Sequence, residues 1–238
     1  MFDTFLSANW ENLIMANYAV SPDLLIPYLP NGVELDMFDN KIYVSLVGFM
    51  FKKTSIFKIP IPLFGTFEEI NLRFYVKKVE GNNIKRGVVF INETVPHKSV
   101  AWLANKLYKE HYIAIPTKSK IEITTPSKNI DYQWKINNEW NHLAVNATIE
   151  NLQMQAGSIE EFIFEHYYGY TKINNELSQE YKVNHPRWLV NEVIDYSIHC
   201  NFKSMYGEDF SFLSNRQPDS VILAQGSPVT VKWKRTKF

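Results

Sequence analysis

A single cysteine, Cys200, leaves no partner for an intramolecular disulfide, so packing and hydrogen bonds must hold the fold, and a reducing compartment fits best. Net charge is also missing: 25 basic and 25 acidic side chains cancel, which removes the long-range field that draws a chain to nucleic acid or an anionic membrane. There is no apolar run long enough for a bilayer, and the opening MFDTFLSANWENLIM has neither a basic n-region nor a continuous apolar core. The expected location is therefore cytoplasmic. The nine glycines form no GxGxxG or phosphate loop, no serine sits in a GxSxG elbow, and the six histidines show no HxxxH or HxxEH spacing. These gaps disfavour nucleotide cradling, a nucleophile elbow and a zinc centre, and no metal or cofactor is expected.

What the chain does have is apolar and aromatic mass: 45% hydrophobic residues over 238 positions, with 16 Phe and 13 Tyr. That is enough for a sizeable core, and β-rich barrels of this length form single units. One domain over residues 1–238 is expected. KIYVSLVGFMF (41–51) is apolar on both alternating faces, which in a strand means cover from both sides. TFEEINLRFYVKKVE, the turn GNN and IKRGVVFINETV read as a long hairpin. Further strands are expected in SKIEITTP, IDYQWKI, HLAVNATIE, LSQEYKVN and VILAQGSPVTVKW, while KIPIPLFG (58–65) is a Pro-punctuated connection between strands.

Helices are expected at 22–29, where Ser21 precedes Pro22, at 97–109, and at 159–168, where Ser158 and Glu161 have capping-box spacing and Gly169 stands to end the helix. About three helices among roughly eight strands indicate a mainly β, α+β chain: a closed or partly open barrel with peripheral helices. The basic tail KWKRTK is expected to fray.

Alternation in FEEINLRFYV sets Ile70, Leu72, Phe74 and Val76 on one face and Glu69, Asn71, Arg73 and Tyr75 on the other. For a lone strand the polar face is a solvent face. Four residues at ~3.3 Å each separate the Cα atoms of Glu69 and Arg73 by about 13 Å, so along the strand the two cannot pair. In the second helix His97 continues the seam of Val100, Ala104 and Leu107, and Lys98 falls on the side of Trp102 and Asn105. By itself, a seam histidine is more often hydrogen-bonded structure than catalyst. EHYYGYT and VNHPRW concentrate histidines and aromatics; most are expected to pack, with Tyr170 and Arg187 kept as pocket candidates.

The segments NWENLIMANYAVSPDLLIPYLPNGVELDMFDNKIYVSLVGFMF, PIPLFGTFEEINLRFYV, RGVVFINETVP, LYKEHYIAIP, HYYGYT and VNHPRW resemble the uncharacterised bacterial YqjF family over most of the chain. That family more distantly resembles acetoacetate decarboxylase, through PDLLIPYLPNGVELD and the strand-to-helix element NETVPHKSVAWLA. The resemblance implies a conical β-barrel with an interior pocket and turns the Glu69, Asn71 and Arg73 face inward. It also sets Val95-Pro96-His97-Lys98 against the decarboxylase pattern Tyr-Pro-Lys-Lys. His97 then replaces the lysine that forms an imine with a β-keto acid, Lys98 takes the supporting place, and an imidazole makes no Schiff base. Phe67-Glu68-Glu69 matches Tyr-x-Glu, and the substrate-binding arginine falls near Glu11 without being reproduced.

The leading expectation is a barrel that binds a small anionic or carbonyl-bearing molecule, with Arg73 as anion clamp, Asn71, Tyr170 and Arg187 as further ligand contacts, and Glu69 with His97 as acid/base groups. One alternative is a Schiff-base decarboxylase or aldolase-like lyase using Lys98; the other is a non-catalytic sensor or interaction module. No nucleic acid or membrane partner is expected, and an oligomer is left open.

Overall fold

Runs of β-branched and aromatic residues dominate the chain, and the computed structural model, which describes residues 3–61 and 64–238, is mostly strand. Pro62 and Leu63, in the connection expected at 58–65, lie outside the described residues. In chain order the strands are β1 (Thr4–Val20), β2 (Glu34–Leu35), β3 (Ile42–Ile56), β4 (Ile59–Pro60), β5 (Phe67–Glu80), β6 (Asn83–Val95), β7 (Tyr112–Ala114) and β8 (Thr117–Thr124). They continue with β9 (Ser127–Ile136), β10 (Glu139–Thr148), β11 (Leu152–Gln153), β12 (Tyr168–Lys172), β13 (Ser178–Asn184), β14 (Leu189–Asn191), β15 (Val193–His199) and β16 (Ser220–Lys237). The helices are α1 (Pro22–Leu25), α2 (Lys98–Tyr108), α3 (Ile159–Phe164) and α4 (Phe202–Tyr206), with 3-10 stretches at Ile26–Tyr28 and Glu208–Asn215.

β1, β3, β5, β6, β12, β13 and β16 hydrogen-bond in that order, and β16 returns to pair with β1, so the sheet closes into a barrel. Closure leaves these strands no free edge. Every pairing around the ring is antiparallel except β6 with β12. The β5–β6 hairpin turns in two residues, because Glu80 pairs with Asn83 and Gly81 supplies a φ of 60°. A second sheet, ordered β15-β10-β9-β8, lies against the outside of the barrel together with α4.

The double cover expected for 41–51 follows from this layering. Val44, Leu46 and Met50 of β3 enter the core shared with the outer sheet, and Tyr43, Val47, Phe49 and Phe51 enter the barrel. A side chain at Gly48 would meet the Tyr132 ring at 2.9 Å, so the glycine lets the outer sheet approach closely.

Three expectations are corrected. The helix expected at 159–168 stops at Phe164, because Tyr167 N–H already donates to Arg86 O and Tyr168 pairs with Gly87 of β6. Gly169 therefore lies in a strand, where a Cβ would meet the Tyr181 ring at 2.1 Å. The tail does not fray: β16 runs to Lys237, Lys232 pairs with Asp3, Arg235 donates to Leu107 O, and Phe238 N–H donates to Ser178 O at 3.1 Å. Roughly eight strands become sixteen among the described residues, because two- and three-residue strands such as β2, β4 and β14 carry no readable period. α4 is too short for a period as well, although Asn201 caps it by accepting from Ser204 N–H.

Candidate functional site

Alternation along β5 sends Ile70, Leu72, Phe74 and Val76 outward into the core under the second sheet and leaves Glu69, Arg73 and Tyr75 facing the barrel. Inside is a cavity of about 110 Å³, walled by aromatics such as Trp10, Phe51, Phe164 and Trp188. It has room for several water molecules or one small organic molecule.

One group of polar residues centres on Arg73. Its Nη2 donates to Ile163 O at the end of α3 and approaches Met15 Sδ, both at 3.4 Å, and its guanidinium lies 5.5 Å from the Tyr75 ring centre. Its Nε is buried without a partner, and among the described residues no carboxylate pairs with it. Both other residues of this group, His166 and His185, line the cavity, and Arg73 lies close enough to disfavour their charged forms. Asp36 Oδ2 accepts from His166 Nε2 at 3.3 Å and pairs with Arg86 Nε at 3.1 Å. That hydrogen bond fixes the Nε2–H tautomer and leaves Nδ1 as an acceptor with no partner. Burial holds His166 below its usual pKa, against the opposing pull of Asp36.

The other group is a set of three buried carboxyls. Glu69 accepts from Asn71 Nδ2 at 3.1 Å and from the Tyr112 hydroxyl at 3.0 Å; burial still pushes its pKa up to about 7. Glu110 accepts from the Thr171 hydroxyl at 2.8 Å, and burial pushes it up to about 7 as well. Glu93 is raised well above the usual carboxylate range, first by burial and then by repulsion from Glu110 and Glu69. Carboxyls poised near neutrality, in a cavity with bound hydroxyls, can take up or release a proton. Among the described residues no cluster of His, Cys, Asp and Glu is arranged to hold a metal.

The remaining sequence-selected residues lie elsewhere. His97 precedes α2 and packs between Phe64 and Phe67, with ring centres 4.5 and 5.7 Å away. Lys98 is exposed on the first turn, and no lysine lines the cavity. Tyr170 is buried in the outer core with its hydroxyl donating to Lys85 O at 3.3 Å. Arg187 pairs with Glu161 at 2.5 Å and donates to Met154 O at 3.1 Å. Glu11 pairs with Lys52 at 2.7 Å. The structure thus brings Glu69, Asn71 and Arg73 onto one interior face, with Glu69 and Arg73 in the cavity lining, and leaves Asn71, His97, Lys98, Tyr170 and Arg187 outside that lining.

Sequence reasoning missed Glu93, Glu110 and the Asp36–His166 pair. Glu93 was hidden by a bulge: Leu72 pairs with Asn92 but Arg73 with Phe90, so Ile91 is an extra residue. Simple alternation would set Glu93 with Val89 and Ile91 on the outer face; the bulge shifts it to the side of Val88 and Phe90. Glu110 follows Lys109, which ends α2 in the left-handed conformation at φ 61°, and no strand or helix period covers it.

Comparison with known proteins adds three findings. The model of the DUF2071 family, described as an uncharacterized conserved protein, matches residues 7–228. The uncharacterized protein YqjF of Bacillus subtilis (strain 168) is 26% identical over 196 residues, covering 79% of this chain and 76% of that protein. Among solved structures, an acetoacetate decarboxylase-like enzyme from Sphingomonas wittichii RW1 superposes with a TM-score of 0.66 at 11% identity, covering 99% of this chain and 94% of that one. The enduracididine biosynthesis enzyme MppR complexed with pyruvate gives 0.66 at 10% identity, covering 100% and 91%. At such identities the likeness concerns the fold, which is acetoacetate decarboxylase-like.

Proposed function

Since the chain belongs to the DUF2071 family of uncharacterized conserved proteins and has the acetoacetate decarboxylase-like fold, we propose that it binds a small organic carboxylate inside the barrel, with Arg73 as the anchor. One observation carries this reading: a guanidinium lines an aromatic cavity with its Nε unpartnered and, among the described residues, no carboxylate paired with it. Such a group is costly to bury without an acceptor, and a bidentate carboxylate matches its fork. MppR complexed with pyruvate is an example of a small 2-oxo acid in this fold.

Thermal denaturation with a panel of short carboxylates, pyruvate included, tests the proposal. Saturation at about 100 times Kd stabilises a folded protein by about 2.7 kcal/mol. Arg73→Met should remove that stabilisation while leaving a folded chain. A panel that stabilises the variant as well as the wild type would defeat the proposal.

A catalytic version is favoured by Glu69 and Glu110, whose pKa values near 7 suit proton transfer to or from a bound ligand. In that version the chemistry proceeds without an imine, because the cavity lining offers no amine nucleophile. Borohydride reduction in the presence of acetoacetate should leave no adduct by mass spectrometry, and an adduct on Lys98 would restore the lyase reading.

A further inference from the structure

The carboxyl group of residues has more acceptors than the protein satisfies. Asn71 and Glu93 are register partners across β5 and β6, and Glu93 is in turn the partner of Tyr112 on β7. Their side chains therefore form one row inside the barrel, with Glu69 bonded to both Asn71 and Tyr112 and Glu110 near enough to repel Glu93. Within this row Asn71 Oδ1, Glu93 Oε2 and Glu110 Oε2 have no hydrogen-bond partner, although their residues are 1%, 2% and 6% exposed. Buried acceptors are almost always satisfied, so three orphans in one place are a local demand for donors and positive charge. The protein gives these particular atoms no donor, no lysine lines the cavity, and Arg73 is the last of the influences on Glu69. The carboxyls are not arranged for a metal among the described residues.

We propose that the ligand is an amino-carboxylate zwitterion whose carboxylate meets Arg73 and whose ammonium group is received by the cavity-lining Glu93 and Glu110. An ammonium carries three donors, enough for the unpartnered oxygens of both glutamates. Its charge favours ionisation of carboxyls that burial and mutual repulsion keep protonated, so binding releases protons to solvent. Ligand methylenes pack on the aromatic walls. The inference rests on the reading of Arg73 as carboxylate anchor but can fail separately from it.

The test is titration calorimetry on the full chain at neutral pH. Straight-chain amino acids from glycine to 6-aminohexanoate are each compared with the unsubstituted acid of the same length, in two buffers of different ionisation heat. At one chain length the amino acid should bind at least tenfold tighter than its partner acid, with proton release. Glu93→Gln and Glu110→Gln should each reduce that preference while plain-acid binding persists, and Arg73→Met should weaken both classes. The inference is overturned if no amino acid binds, if plain acids bind as tightly as their amino partners, or if the preference survives both glutamine variants. Undiminished binding of plain acids to Arg73→Met would instead overturn the anchor reading.

Discussion

On its outer face β5 presents Ile70, Leu72, Phe74 and Val76 to Tyr132, Trp134 and Leu143 of the second sheet, all without exposed surface. On its inner face the same strand presents Glu69, Asn71 and Tyr75, all buried, and Arg73, half-buried, to the barrel. Most of both faces is buried, so burial alone does not set the chemistry. The outer face packs on apolar and aromatic side chains, with an unpartnered Trp134 Nε1 opposite β5. The inner face buries three carboxyls and the Nε of a half-buried guanidinium, leaves several of their atoms unpartnered, and surrounds a cavity. A fold optimised for stability alone has no use for that arrangement; apolar residues of similar volume would be as stable or more so.

The contrast can be broken most forcefully from outside. Phe74→Ala should cost about 3–5 kcal/mol in urea denaturation by opening a cavity in the dry core, and carboxylate binding to the surviving folded fraction should be unchanged. A loss below about 1 kcal/mol would mean the outer layer is loosely packed.

A pH profile sharpens the inner half. The folded pKa of Glu69, about 7, lies above its ordinary 4.5, so between those values the folded chain binds more protons than the unfolded one. Stability from this group is therefore full below about pH 4.5 and declines as pH rises towards 7, by about 3 kcal/mol. Glu69→Gln should make the measured decline between about pH 5 and pH 8 shallower without abolishing it, since Glu110 and Glu93 are raised as well. A carboxylate held by an unseen cation would show the opposite slope.

Smaller effects should follow at Gly169, where an added methyl collides with the Tyr181 ring that lines the cavity. Gly169→Ala is expected to lower stability by about 1–3 kcal/mol and to weaken ligand binding together with it. At the low end, Lys98→Ala should change stability by less than about 0.5 kcal/mol and leave ligand binding intact, since its side chain is exposed. A lost ligand response in that variant would return the lysine to the site.

The fold was largely legible because long strands with strict alternation, β3 and β5 above all, declare both faces, and the capping of α3 by Ser158 is local chemistry. The second, covering sheet was not: β8, β9 and β10 read as strands, but nothing in their sequence says which surface they cover. At the site, the Glu69–Asn71–Arg73 face followed from period two and was turned inward by a family resemblance. Glu93 escaped because the bulge at Ile91 reverses the period, and Glu110 because it sits on a loop. The Asp36–His166 pair joins residues 130 positions apart, a contact no local pattern announces. The aromatic neighbourhood of Tyr170 signalled packing and pocket equally, and it packs in the outer core because β12 presents it there.

The central claim is that the inner face is a binding site whose anchor is Arg73, and a crystal structure of the protein grown with a saturating short carboxylate tests it most directly. The account predicts the carboxylate inside the barrel, within hydrogen-bonding distance of Arg73 Nε and Nη2. A cavity holding water alone, with Arg73 turned onto Glu93 as an internal ion pair, would contradict it.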